Sequence, residues 1–149
     1  MTVAERTTHM KPLTLPETDL HSPVDIGPDT QPFWDATARG ELCAQRCDDC
    51  GRFRFPPSPV CPACRSFATT WTPLKSTPEL YSWVIVERAT HPDIPAPFCV
   101  ALAEFPEGVR IPGNLLFDRE TENPRAGTPL SIDFHPVGTV HVPLYQLRG

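Results

Sequence analysis

Four cysteines in two close pairs constrain this chain more than any other feature. Their spacing is Cys47-x2-Cys50-x10-Cys61-x2-Cys64. A C-x2-C pair makes a tight knuckle that brings two thiolates to one ion. Zinc takes four such soft ligands in a tetrahedron, with Zn–S near ~2.3 Å. Gly51 follows the first pair, where a positive φ lets backbone N–H groups turn toward sulfur. Pro62 stiffens the second pair. Two knuckles joined by a ten-residue hairpin make a structural metal site with Cys47, Cys50, Cys61 and Cys64 as ligands and Zn as the expected ion. The same ligands also suit iron. Such a site folds a segment too small to fold alone.

Cys43 and Cys99 are left over. On a strand, Cys43 lies about 13 Å from Cys47 at ~3.3 Å per residue, too far to share the ion. Cys99 sits in the apolar run Phe98–Ala103. Both read as small buried hydrophobes. The five histidines show no metal-pair spacing, and no Walker loop, G-x-G-x-x-G or G-x-S-x-G is present. No paired catalytic carboxylates can be assigned. The expected catalytic set is therefore empty.

The rest of the chain reads as mainly β. Twenty prolines in 149 residues exceed twice the usual ~5% share and argue against long helices. Residues 1–30 form an expected flexible arm, in which Leu13, Leu15, Leu20, Val24 and Ile26 could lie on a partner. Residues 31–46 are a short helix and a lead-in strand. Asp29 or Thr30 is the expected cap, Pro32 suits the first turn, and Gly40 suits the end. Residues 47–75 are the metal-bound hairpin and a connector. Residues 76–149 carry five strand-like runs: Leu80–Arg88, Phe98–Phe105, Val109–Leu116, Leu130–His135 and Thr139–Gln146. Leu130, Ile132 and Phe134 alternate with polar residues, as on a half-buried strand. Tyr81–Val86 is apolar on both faces except at Ser82, and reads as a central strand. Pro112 and Pro143 push their strands toward edges or bulges. Five short strands suggest a small barrel.

Charge narrows the partners. Residues 43–75 hold five bases and two acids, but a zinc tetrathiolate would remove most of that bias. Residues 76–149 hold nine acids and five bases, a poor groove for nucleic acid. No apolar run approaches the ~20 residues of a membrane span. The start carries no apolar leader, and six unpaired-looking cysteines suit a reducing compartment. The cytoplasm is the expected location, with neither nucleic acid nor membrane as partner. Arg52 and Arg54 alternate with Phe53 and Phe55, so the arginines are expected on one open face and the phenylalanines on a packed one.

The run PFWDATARGELCAQRCDDCGRFRFPPSPVCPAC, residues 32–64, closely resembles the zinc-ribbon/OB-fold family long called domain of unknown function thirty-five. The shared features are Phe33-Trp34, Gly40 with Leu42, Arg46-Cys47 to Gly51, Phe55-Pro56-Pro57 and Cys61-Pro62-Ala63-Cys64. YSWVIVER (81–88) and PFCVALAEFPEGVRIPGNLL (97–116) resemble its barrel strands. The chain departs at Thr77-Pro78-Glu79, where members often carry Gly-x-Gly, and at Pro112. The resemblance implies a rubredoxin-like C4 ribbon followed by a five-stranded OB-fold barrel. It implies an accessory subunit, non-catalytic alone, that completes a thiolase-like acyl-CoA enzyme, an aldolase or C-acyltransferase such as those of steroid side-chain degradation. It further implies a heterotetramer of two plus two with acyl-CoA at the interface. Phe33, Trp34, Arg52, Arg54, Arg88 and Arg110 are the expected contacts to the partner or to CoA. The alternatives are a nucleic-acid-binding zinc-ribbon/OB-fold protein and a stand-alone CoA-binding protein.

Overall fold

The computed structural model describes residues 26–88 and 96–149. The expected arm lies almost wholly outside them, and with it Leu13, Leu15, Leu20 and Val24. The helix α1 spans Gln31–Ala38, with Pro32 in its first turn. Neither expected side chain caps it. Thr30 holds the cap position without a side-chain bond to the first turn, because its hydroxyl bonds back to Gly27. The far end closes as expected. The Gly40 and Glu41 N–H groups reach the Thr37 and Ala36 carbonyls, with Gly40 at φ 78°. That pairing satisfies the last free carbonyls of the helix.

Three strands form the ribbon: β1 (Cys43–Cys47), β2 (Phe53–Arg54) and β3 (Thr69–Pro73), in the order β2-β1-β3, all antiparallel. Five more form the barrel: β4 (Glu79–Val86), β5 (Phe98–Glu104), β6 (Arg110–Leu116), β7 (Leu130–Val137) and β8 (Val140–Leu147). Their order is β4-β5-β6-β8-β7, with β6 and β8 parallel. A bridge from Glu79 to Pro129 and bonds between Leu80 and residues 127–128 bring β4 round to the start of β7. That closure is what turns an open sheet into an OB-type barrel.

The core is continuous across all three parts. Phe33 of α1, Leu42 and Ala44 of the ribbon side, and Leu80, Phe105, Ile111, Leu115 and Tyr145 of the barrel belong to one buried cluster. The Phe33 ring lies 5.0 Å from Trp34 and 5.2 Å from Phe55. Burying a side chain such as Phe33 stabilises by about 1.5–3 kcal/mol, so the helix fixes the ribbon against the barrel.

Two prolines sit where the parallel ladder has not yet begun. β6 and β8 pair only from Asn114 with Leu144 onward. Pro112 and Pro143 precede those residues, so neither removes a bond from that ladder. This agrees with the expectation that proline belongs where a strand edge is free.

One expectation fails outright. Tyr81–Val86 is not a central strand buried on both faces. Tyr81, Trp83 and Val84 are exposed, Val84 to 58%. β4 is the first strand of the sheet order, and its register shifts between Leu80 and Ser82. Beyond that bulge, among the described residues, it has only β5 as ladder neighbour. With β5 as its one ladder neighbour there, Tyr81, Trp83 and Val84 stay open, whereas Ile85 farther along the strand still packs against the core.

Candidate functional site

The four sulfurs of Cys47, Cys50, Cys61 and Cys64 lie within 4.8 Å of one another. Cys47 Sγ is 3.5 Å from Cys64 Sγ, and Cys50 Sγ is 3.7 Å from Cys61 Sγ. A tetrahedron with Zn–S of ~2.3 Å has edges of about 3.8 Å. The cage therefore fits the ion.

The two knuckles repeat the same backbone pattern. Gly51 N–H bonds to the Cys47 carbonyl at 2.9 Å, and Arg65 N–H bonds to the Cys61 carbonyl at 2.9 Å. Cys47 N–H bonds to the Arg52 carbonyl, and Cys61 N–H to the Ser66 carbonyl. Gly51 has φ 73° and Arg65 has φ 64°. The second knuckle thus holds an arginine in a conformation usually left to glycine. Each knuckle buries its first cysteine and exposes its second.

The electrostatics follow from this geometry. The N–H groups of Cys50 and then Asp49 pull the Cys47 thiol below the usual range. Those of Cys64 and Ala63 pull Cys61 down to about 6. At Cys64 the Ser66 N–H pulls the same way, yet the thiols of Cys47, Cys50 and Cys61, with burial, push it up to about 12. Thiolates this close repel one another unless a cation sits among them. A bound divalent ion supplies that charge, and the N–H groups stabilise the sulfurs around it.

The arginines differ from expectation. Arg52 is exposed, but Arg54 is only 7% exposed. Arg54 bonds to Gln45 Oε1 at 2.8 Å, to the Ser58 carbonyl at 2.9 Å and to Thr69 Oγ1 at 2.6 Å. It ties the hairpin to β1 and β3. The paired open face does not exist, because the chain at Ser58 folds back over Arg54. Phe53 and Phe55 do pack against the core as expected. Arg110 lies 3.6 Å over the Tyr81 ring and pairs with Glu104 at 2.9 Å. Arg88 is exposed. Phe33 is buried in the core; Trp34 is half-buried.

Beside the ribbon lies a cavity of about 330 Å³. α1 contributes Phe33 and Trp34, the hairpin Phe55, Pro56 and Pro57, and the barrel Val100, Pro112, Asn114, Val142 and Pro143. None of the expected arginine contacts lines it. The sequence did not reveal it, since its walls come from segments far apart in the chain. The exposed residues Phe67, Tyr81, Trp83 and Val84 were also missed, Phe67 at 77% exposure. The signal was there for β4: a strand apolar on both faces is covered by something, and that something need not be this chain.

The leftover thiols are poor nucleophiles. Burial, and then the Glu41 carboxylate, push Cys43 up. Burial pushes Cys99 up to about 11, against ~8.5 for a free thiol. Neutral Cys99 therefore stabilises the fold fully below pH ~8.5, and that contribution is lost as pH rises through about 11. We expect Cys99 to resist iodoacetamide at pH 8 in the native chain and to react on unfolding. Rapid native labelling, read by peptide mass, would contradict this burial.

Two family models match the chain: the ChsH2 rubredoxin-like zinc ribbon domain over residues 34–70 and the ChsH2 C-terminal OB-fold domain over residues 71–135. Curated relatives include a probable enoyl-CoA hydratase alpha subunit of Thermomonospora curvata, 38% identical over 85 residues, 56% of this chain and 27% of that protein. Another is the 3-oxo-4,17-pregnadiene-20-carboxyl-CoA hydratase alpha subunit of Mycobacterium tuberculosis, 34% identical over 87 residues, 58% of this chain and 28% of that protein. The matches thus span little more than a quarter of those relatives' length. Among solved structures, a chain of the Ltp2-ChsH2(DUF35) aldolase superposes with a TM-score of 0.74 at 28% identity, covering 83% of this chain and 98% of that one. A DUF35 protein of unknown function from Sulfolobus solfataricus shares the fold, with a TM-score of 0.58 at 16% identity over 82% of this chain and 87% of that one. With its four clustered thiols, its ribbon and its barrel, the chain belongs to the ChsH2-type zinc-ribbon/OB-fold family, also called DUF35.

Proposed function

We propose that this chain is a zinc-containing accessory subunit that binds and completes a thiolase-like enzyme acting on acyl-CoA thioesters, of the aldolase or C-acyltransferase kind. The observation that carries the reading is the likeness to the ChsH2 chain of an aldolase complex, over 98% of that chain. The zinc is structural in this reading. The partner supplies the reacting groups, and this chain supplies a rigid surface. A cytoplasmic heterotetramer of two plus two, with acyl-CoA near the interface, belongs to the same proposal.

The surface is proposed at the exposed apolar residues Phe67, Tyr81, Trp83 and Val84. Large aromatics on a rigid frame are good interface anchors. Arg52 and Arg88, both exposed, can meet acidic groups of the partner. Arg54 and Phe33 support that frame from within, and Arg110 holds Tyr81 in place.

Co-expression with a thiolase-like protein encoded nearby tests the reading. We expect the two to copurify, and the partner to be inactive or insoluble alone. Trp83→Ala with Val84→Asp should weaken the complex by at least about tenfold, or ~1.4 kcal/mol, while leaving one zinc bound. A partner fully active without this chain would sink the proposal.

A further inference from the structure

We infer that Arg54 is the internal counter-charge of the metal cage: a buried guanidinium beside the two knuckles that favours the doubly negative, metal-bound tetrathiolate. The inference needs only the metal site and is independent of the partner reading above.

Arg54 is only 7% exposed, yet it forms no ion pair among the described residues. All its hydrogen bonds go to neutral acceptors: Gln45 Oε1, the Ser58 carbonyl and Thr69 Oγ1. Its Nη1 is buried and has no hydrogen-bond partner. A buried cation without a counter-charge is costly. The nearby acids of the ribbon do not supply one. Asp49 is exposed, and so is Asp48, which accepts from the Thr70 hydroxyl. Thr70 follows Thr69, so its side chain lies on the other face of β3.

The register sets what Arg54 does face. Arg54 pairs with Gln45 between β2 and β1, and Cys47 pairs with Thr69 between β1 and β3. Opposed residues share a face of a sheet, and so do residues two apart on one strand. Gln45, Cys47, Arg54 and Thr69 therefore lie on one face. The Arg54 side chain starts opposite Gln45 and ends on Thr69, the residue opposite Cys47. Its guanidinium thus crosses the face that carries the first buried ligand. Its hold on Ser58 lies on the segment that leads into Cys61, the second buried ligand, where the Ser58 hydroxyl donates to the Val60 carbonyl. Four thiolates around one divalent ion carry two net negative charges. That is the charge Arg54 otherwise lacks, and burial strengthens the attraction. A cation so placed lowers the basicity of the sulfurs, so protons and chelators displace the ion more slowly.

The test separates charge from hydrogen bonding. Arg54→Lys keeps the charge and loses the forked bonds; Arg54→Gln and Arg54→Met remove the charge. Each full chain is loaded with zinc, and separately with iron on the same four thiols. Zinc release to excess chelator should be at least about tenfold faster in the two neutral variants. Reduction of a ferric tetrathiolate adds a negative charge, which a neighbouring cation favours. The iron potential should therefore fall by about 59 mV in the neutral variants, a tenfold shift in a one-electron equilibrium. Arg54→Lys should keep the parent's potential. A parent-like value of either measure in the neutral variants would overturn the inference, as would a potential in Arg54→Lys shifted as far as in Arg54→Gln. If neither neutral variant holds metal, the lysine chain decides: one that still loads metal supports the counter-charge, and one that does not overturns it.

Discussion

Replacing Cys61 with serine, or stripping the metal with a strong chelator, abolishes the ribbon while leaving a weakened barrel. Structural zinc sites of this type contribute an apparent ~10–16 kcal/mol, as much as the whole stability of an ordinary domain at ~5–15 kcal/mol. Nothing else in the hairpin can replace that. β2 is two residues long, and the segment from Cys61 to Ala68 contributes no strand. Without the ion, the thiols that now crowd within 4.8 Å lose their reason to converge. Phe55 then leaves its place against Phe33, and the cavity loses its roof. The expected record is loss of β signal in circular dichroism and a shift in Trp34 and Trp71 fluorescence. A lower, separate unfolding transition should remain for the barrel. Acid acts in the same direction. The Cys61 thiol is held at about 6 by the N–H groups of Cys64 and Ala63. A lowered pKa stabilises the fold above the ordinary thiol range, and that stabilisation is lost as pH falls through about 6. Metal binding extends the protection to lower pH, because protons must displace the ion. An unchanged spectrum after complete zinc removal would refute a metal-built ribbon.

The second large effect is expected at Gly113. A Cβ there would lie 2.5 Å from Tyr145 Cε2, 2.6 Å from the Pro143 carbonyl oxygen and 3.0 Å from Pro143 Cβ. None of these neighbours can yield easily. Pro143 is held in the β7–β8 ladder opposite Phe134. Tyr145 is fully buried, and its hydroxyl donates to the Ile111 carbonyl at 3.1 Å. Gly113→Ala should therefore destabilise by about 3 kcal/mol, the upper end of the usual overpacking range. That is a fall in the melting temperature of about 10 °C. Tyr145→Phe is the milder companion, removing one buried hydrogen bond at a cost of about 1–3 kcal/mol. Urea titration of the three proteins measures both. A Gly113→Ala chain as stable as the parent would show that β6 and β8 do not approach as described.

The parts of this fold that were legible in the sequence are those set by local chemistry. Cys47, Cys50, Cys61 and Cys64 declare a metal cage because two short turns and one ion leave little other geometry. Gly40 declares a helix end, and Leu130 to Phe134 declare a half-buried strand, for equally local reasons. What failed depended on distant partners. Arg54 was expected on an open face from strand alternation alone. Its burial depends on Ser58 folding back and on Gln45 and Thr69 lying opposite. Thr30 was expected to cap α1, but Gly27 competes for its hydroxyl. For Tyr81, Trp83 and Val84 the sequence predicts a central strand, because apolar residues on both faces usually mean burial. As the end strand of the sheet order, β4 has β5 on one side only, and these three side chains are left open as a docking surface. The cavity could not be read at all, since it is a gap bounded by three separate segments.

The central claim, that one ion held by two knuckles builds the platform, is tested most directly by weighing the purified, unoxidised chain. Elemental analysis should return one zinc per chain. The intact mass of the denatured protein should show all six cysteines as free thiols. A metal content well below one, or a mass deficit revealing those sulfurs joined as disulfides, would contradict it.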